Sequence, residues 1–278
     1  MKKEIKYSVL FILITLLTSY AYALFVFANP KNLQFFTFIM LVPATVGIIL
    51  NFIRYRSFRI VFRPLFHKFN LKSILFAIFY PVAFIILLAL ILSVTGVANC
   101  NQGKLDDLFN INFQVRYIFF FIGSFIFTFG EEYGWRGFLL KDLAEIKGRV
   151  FATLVVGVVW ALYHAPYIYG LASVAHMDHP FLLMIIQMGA VFVFSIPFAY
   201  SYFISNSIVP PILFHIVWNT FNPLVLGNVY RNTQGIMEGN LLYINGEGLA
   251  GLVFGLILMV WFINQFNKFP KQFKQETA

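Results

Sequence analysis

Glu131-Glu132-Tyr133-Gly134-Trp135-Arg136-Gly137 lies in the second half of a long apolar run, Tyr117 to Leu140. Three charges in such a run are costly. Each costs roughly 2.5–3.5 kcal/mol at the bilayer centre, so three uncompensated charges cost about 8–10 kcal/mol. Glu132 and Arg136 stand four residues apart, share a helix face and can pair. Glu131 points about 100° away from Glu132 on a helix and is left over. A carboxylate left over in a membrane helix marks a candidate functional site.

Outward from that stretch, the chain reads as an all-α polytopic membrane protein. Its 278 residues are 60% hydrophobic and only 11% charged, where a soluble domain carries about 25% charge. The length allows about eight spans of roughly 20 residues. Those expected are Ile5–Ala28, Leu33–Ile53, Ser73–Val97, Tyr117–Leu140, Val150–Gly170, Phe181–Ile204, Pro210–Leu226 and Leu249–Phe266. They divide into N-terminal helices over 1–113, a core over 114–227, and a last loop, helix and basic tail over 228–278. The basic stretch Arg54 to Lys72, interleaved with Phe and Leu, suggests a short segment lying on the membrane surface.

The first span imitates a signal peptide, with Lys2, Lys3 and Lys6 before it and Ala21-Tyr22-Ala23 as a cleavage-like site. Its apolar run continues past that site to Ala28, which favours an uncleaved span. Of 20 Lys and Arg, 15 fall on the side of the N-terminus, four fall opposite, and Arg136 lies within a span. That asymmetry predicts both termini in the cytoplasm. It also explains the net charge of +9 without a nucleic-acid partner. The single cysteine, Cys100, excludes an internal disulfide. No internal repeat is visible, which weakens an inverted-repeat transporter reading.

Of eleven acids, only Glu131 and Glu132 lie inside apolar spans, and of five histidines only His164 and His215 do. With Arg136 they form an intramembrane ionisable set drawn from three helices, and this economy argues that they converge. Counted along each helix from the basic side, Glu131 lies about 15 Å deep, His215 about 13 Å and His164 about 22 Å. A fifth span that starts a turn or two late would remove the mismatch, and the site would open to the cytoplasmic half of the bilayer. Asn219 follows His215 by four and shares its face. Trp160 precedes His164 by four and can wall it. Pro166 frees a backbone carbonyl, and Gly134 and Gly137 allow a close helix approach or a wider turn.

Two chemistries suit this set. In one, Glu131, His164 and His215 hold a metal such as Zn²⁺ with an open position for water. In the other, Glu131 is general base on a water oriented by His164, and His215 and Asn219 stabilise the oxyanion. Both are hydrolysis of an acyl bond. Against them stand a proton-coupled transporter, in which the Glu–Arg pair lines a pathway, and a non-enzymatic membrane partner, in which it is structural. His176-Met177-Asp178-His179 looks like a metal clip but reads better as a solvated loop.

The Glu-Glu-x-x-x-Arg run, Trp160-x-x-x-His164 and His215-x-x-x-Asn219 together resemble the CPBP intramembrane proteases. That family comprises the type II CAAX prenyl endopeptidases and bacterial bacteriocin-processing or immunity relatives. The likeness covers about 125–223, with Trp160 where Phe is usual. It implies Glu131 as the catalytic acid residue and His164 as water activator or metal ligand. It implies His215 and Asn219 as oxyanion or metal-side partners, with Glu132 and Arg136 holding the site. The implied substrate is a membrane-associated peptide or protein. The composition, rich in Phe, Ile, Lys and Asn, suggests a bacterial plasma membrane and argues against prenylated CAAX substrates.

Overall fold

In lipid every backbone N–H and C=O must find a partner within the protein, so long apolar segments fold as helices. The structure, a computed structural model, describes residues 2–266 and 268–269. Lys271 and Lys274 of the basic tail lie outside the described residues. Helix α1 (Lys2–Phe27) runs unbroken through Ala21-Tyr22-Ala23. A 3-10 helix, Pro30–Leu41, leads into α2 (Val42–Tyr55), followed by α3 (Phe58–Phe66), α4 (Leu71–Val94) and the short α5 (Gln102–Asp106). Helix α6 (Ile111–Glu132) passes into a π-helix, Tyr133–Leu140, and then α7 (Lys141–Lys147). There follow α8 (Arg149–Val174), α9 (Pro180–Phe203), α10 (Val209–Leu226), α11 (Leu241–Ile244) and α12 (Leu249–Phe266). The only strands among the described residues are Asn99–Cys100 and Met237–Glu238, paired antiparallel.

This is an all-α multi-pass membrane protein. Seven of its helices are long and apolar enough to cross a membrane, and an eighth is gained if Gln102–Phe109 and Gln114–Lys147 form one bent span. The fifth span does not start late: α8 begins at Arg149. Gly148, at φ 86°, ends α7 and lets the next helix start at once, a conformation open to glycine.

The second span also departs from a plain α-helix. A 3-10 helix rises about 2.0 Å per residue, so Pro30–Leu41 covers about 24 Å in twelve residues. It reaches one wall of the bundle with few residues. Helix α8 packs against α9 and α1, α10 against α4 and α6, and α2 against the π-helix. Pro166 removes the backbone donor that would otherwise serve the Leu162 carbonyl, and the Tyr20 hydroxyl donates to that carbonyl at 3.0 Å. The first helix is thereby stitched to α8.

At the basic end of the bundle, Arg54 joins three elements: it pairs with Asp142 at 2.6 Å and with Glu4 at 3.3 Å. Helix α3 exposes Phe58, Ile60 and Phe66 and buries Val61, the pattern of a surface-lying amphipathic helix. The Val61 carbonyl accepts a hydrogen bond of 2.8 Å from Tyr133 in the π-helix. At the opposite end, Lys104 pairs with Glu238 at 2.8 Å across the small strand pair.

Candidate active site

The acidic pair sits where α6 widens. A π-helical turn admits one more residue than an α-turn and recurs at functional sites. Here two glycines permit it by letting neighbouring backbone approach. A Cβ on Gly134 would lie 2.7 Å from the Pro43 carbonyl carbon and 2.8 Å from its oxygen. A Cβ on Gly130 would lie 3.0 Å from the Leu41 Cα. The start of α2 is thus pressed directly against the motif.

The two carboxylates diverge, as their 100° separation requires. Glu132 points into the bundle, where its Oε1 accepts from Arg136 Nη1 at 3.0 Å and from His215 Nδ1 at 2.8 Å. Both Glu132 and Arg136 are fully buried. The Arg136 guanidinium carbon also lies 4.3 Å from the Trp160 ring centroid and 4.6 Å from that of Phe198. Glu131 faces the other way. Its Oε2 accepts from the Trp160 indole at 2.9 Å, and the residue lines a cavity of about 540 Å³.

Trp160, His164, His215 and Asn219 line that same cavity, so the structure brings all the sequence-predicted residues to one place. Trp160 does more than wall the site, since one face carries Arg136 and its N–H holds Glu131. His164 Nδ1 lies 2.9 Å from the Trp160 carbonyl. A carbonyl can only accept, so Nδ1 carries the proton and Nε2 is the acceptor of the neutral ring. The contact of His215 Nδ1 with the Glu132 carboxylate fixes its ring in the same sense, leaving Nε2 for the cavity. His176, Asp178 and His179 are exposed in the loop before α9 and take no part in the cavity lining.

The mouth of the cavity corrects one expectation. Its exposed lining residues include Gln34, Thr37, Phe120 and Arg231, all in the half of the bundle away from the basic loops. The basic end is closed by the buried Tyr133, Trp135, Phe138 and Phe11, with Phe11 stacked on Phe138 at 4.9 Å. Depth along each helix does not reveal which end is plugged. That depends on which side chains meet across the bundle.

Sequence reading also passed over a third carboxylate. Glu247 lies in the loop before α12, yet it lines the cavity. It accepts from Gln187 Nε2 at 3.1 Å, Trp218 Nε1 at 3.0 Å and Tyr230 hydroxyl at 3.0 Å. Burial and the adjoining carboxylate push the Tyr230 hydroxyl well above the usual phenol range, so it remains a donor. The one local signal is an acid between two glycines, Gly246-Glu247-Gly248, ahead of an apolar run.

Zinc held by Glu131, His164 and His215 is one of the two chemistries the sequence leaves open, the other needing no cofactor. Among the described residues, no three His, Cys, Asp or Glu side chains are grouped so as to hold a metal ion. The side chains as they stand do not fit a three-ligand zinc site. No curated protein matches the chain. Residues 113–221, which carry all three motifs, match the family described as Type II CAAX prenyl endopeptidase Rce1-like, the group of membrane proteases that the motifs resemble.

Proposed function

We propose that the protein is an intramembrane endopeptidase that hydrolyses a peptide bond with water activated by Glu131. The observation that carries this reading is the separation of the two acids. Glu132 is consumed by Arg136 and His215, while Glu131 is fixed by one indole N–H and borders a cavity with ample room for water and a peptide segment. An ion-pair lattice built for structure alone would have no need of a carboxylate turned away from its cations.

The proposed sequence of events uses this chain's residues only. Glu131 takes a proton from water, which His164 Nε2 orients by accepting its other hydrogen. The hydroxide adds to the scissile carbonyl carbon. The Asn219 amide donates to the resulting oxyanion, and His215 joins it from Nε2 when both its ring nitrogens carry protons. Glu131 then passes its proton to the departing nitrogen as the C–N bond breaks, leaving a carboxylic acid and an amine. Because the side chains do not form a metal-ligand group, no step is routed through zinc. The substrate is a membrane-associated peptide or protein. In this reading the chain sits in a bacterial plasma membrane with both termini cytoplasmic, and the cavity mouth faces outward.

The test is cleavage of a membrane-peptide library by the purified protein. Glu131→Gln, His164→Ala and His215→Ala should each abolish cleavage while the protein stays folded. Residues acting as one unit are non-additive, so Glu131→Gln with His164→Ala should be barely worse than either alone. Asn219→Ala should cost about 10²–10³-fold, the usual loss for one oxyanion donor. His176→Ala and His179→Ala should be near neutral, and a chelator should leave cleavage intact. Full activity of Glu131→Gln would sink the reading, and loss of activity on chelation would replace general-base chemistry with metal chemistry.

A further inference from the structure

The loop 240–248 is built rather than draped. Asn240 caps α11 by accepting from the Leu242 N–H at 3.0 Å. Asn222 of α10 accepts from the Gly246 N–H at 3.0 Å and donates to Asn245 at 3.2 Å. Asn245 in turn accepts from the Glu247 N–H at 2.8 Å and donates to the Gly227 carbonyl. Asn222 and Asn245 are themselves buried. The effect is to hold one carboxylate, Glu247, at a fixed point of the cavity wall, on three side-chain donors from α9, α10 and the 227–240 loop.

All three donors are neutral. Among the described residues Glu247 has no ion pair, and the one Lys or Arg that borders the cavity, Arg231, is exposed at its mouth. The Oε1 of Gln187, whose side chain is fully buried beside Glu247, has no hydrogen-bond partner. Hydrogen bonds orient a carboxylate but do not neutralise it, and a half-buried charge is costly without a counter-charge. A carboxylate held between low-dielectric walls, with only neutral donors on it, concentrates the opposite sign beside it. The matching ligand group is a cation.

We infer that Glu247 forms a specificity subsite for a positively charged group of the substrate, a lysine or arginine side chain or a free amino terminus, within the Glu131 cavity. The inference rests on the protease reading only in taking a peptide as the ligand. The alternative is that Glu247 merely staples its loop to α9 and α10.

The two are separated by binding rather than turnover. The full-length Glu131→Gln protein in detergent removes hydrolysis and also the other cavity carboxylate, so any charge preference left belongs to Glu247. The probes are fluorescent amphipathic peptides identical except for one central residue: lysine, acetyl-lysine or glutamate. Fluorescence anisotropy should show the lysine peptide bound about ten- to a hundredfold more tightly than the acetyl-lysine one, the range of a hydrogen bond to a charged group. The glutamate peptide should bind weakest. Adding Glu247→Gln should erase the preference, whereas adding Tyr230→Phe, which loosens the staple but keeps the charge, should preserve it. A purely structural role would make those two changes alike. Equal binding of the lysine and acetyl-lysine peptides overturns the inference, as does no binding of any probe. Both outcomes are readable even if Glu247→Gln fails to accumulate. A failed library cleavage by the unsubstituted protein would instead count against the protease reading and leave this ranking intact.

Discussion

Arg136→Ala is the change whose cost the structure defines best. The guanidinium makes a single hydrogen bond, Nη1 to Glu132 at 3.0 Å, and its Nε and Nη2 have no hydrogen-bond partner. Its remaining support is the two ring faces of Trp160 and Phe198. Removing it leaves Glu132 charged in a fully buried place, which costs about 3–5 kcal/mol. The lost ring contacts add about 2 kcal/mol where the cation is desolvated. The sum, about 5–7 kcal/mol, is a large part of the 5–15 kcal/mol typical of a folded domain.

At about 2–4 °C per kcal/mol for a chain of this size class, even the lower figure shifts the midpoint by roughly ten degrees. Thermal unfolding in detergent, followed by tryptophan fluorescence, reads it. Arg136→Lys should fall between, because an ammonium is a point charge that cannot lie flat between two rings. The double change Arg136→Met with Glu132→Gln removes both charges and should unfold later than Arg136→Ala alone, since replacing a buried pair is often near neutral. An Arg136→Ala protein within a degree of the parent would refute the reasoning. So would a double variant as unstable as the two single changes added together.

Two further outcomes follow from geometry and charge. Gly134→Ala drives a Cβ into the Pro43 backbone, so it should cost about 1–3 kcal/mol or more and lower the midpoint in the same assay; an unshifted midpoint would mean that α2 and the π-helix are not in contact. Reporter fusions after residues 68, 145 and 274 should read cytoplasmic and those after 104 and 235 external, and a cytoplasmic signal at 104 would overturn the orientation.

Much of the fold was legible because the bilayer permits so few solutions. Length and apolarity give the spans, and the three buried charges point to the end of α6 and the turn after it without any structure. The pairing of Glu132 with Arg136 was legible too, because four-residue spacing is a local property of a helix, and it survives the π-helical turn. So was the set Glu131, His164, His215 and Asn219, since polar groups in spans are too expensive to be scattered.

What the sequence could not supply depends on contacts between elements far apart in the chain. That His215 reaches Glu132 across 83 positions, and that the Trp160 indole holds Glu131 across 29, is decided by how α6, α8 and α10 cross. The mouth of the cavity was misjudged because depth along a helix is blind to the aromatic plug formed where Phe11 meets Phe138. Glu247 was passed over for a related reason. In sequence it is an acid in a polar loop, where solvation is the ordinary fate, and only the folding of that loop onto Trp218, Gln187 and Tyr230 makes it part of the cavity. Hydropathy records the cost of placing each residue in lipid, which is a local quantity. The partner that meets that cost is chosen by tertiary packing.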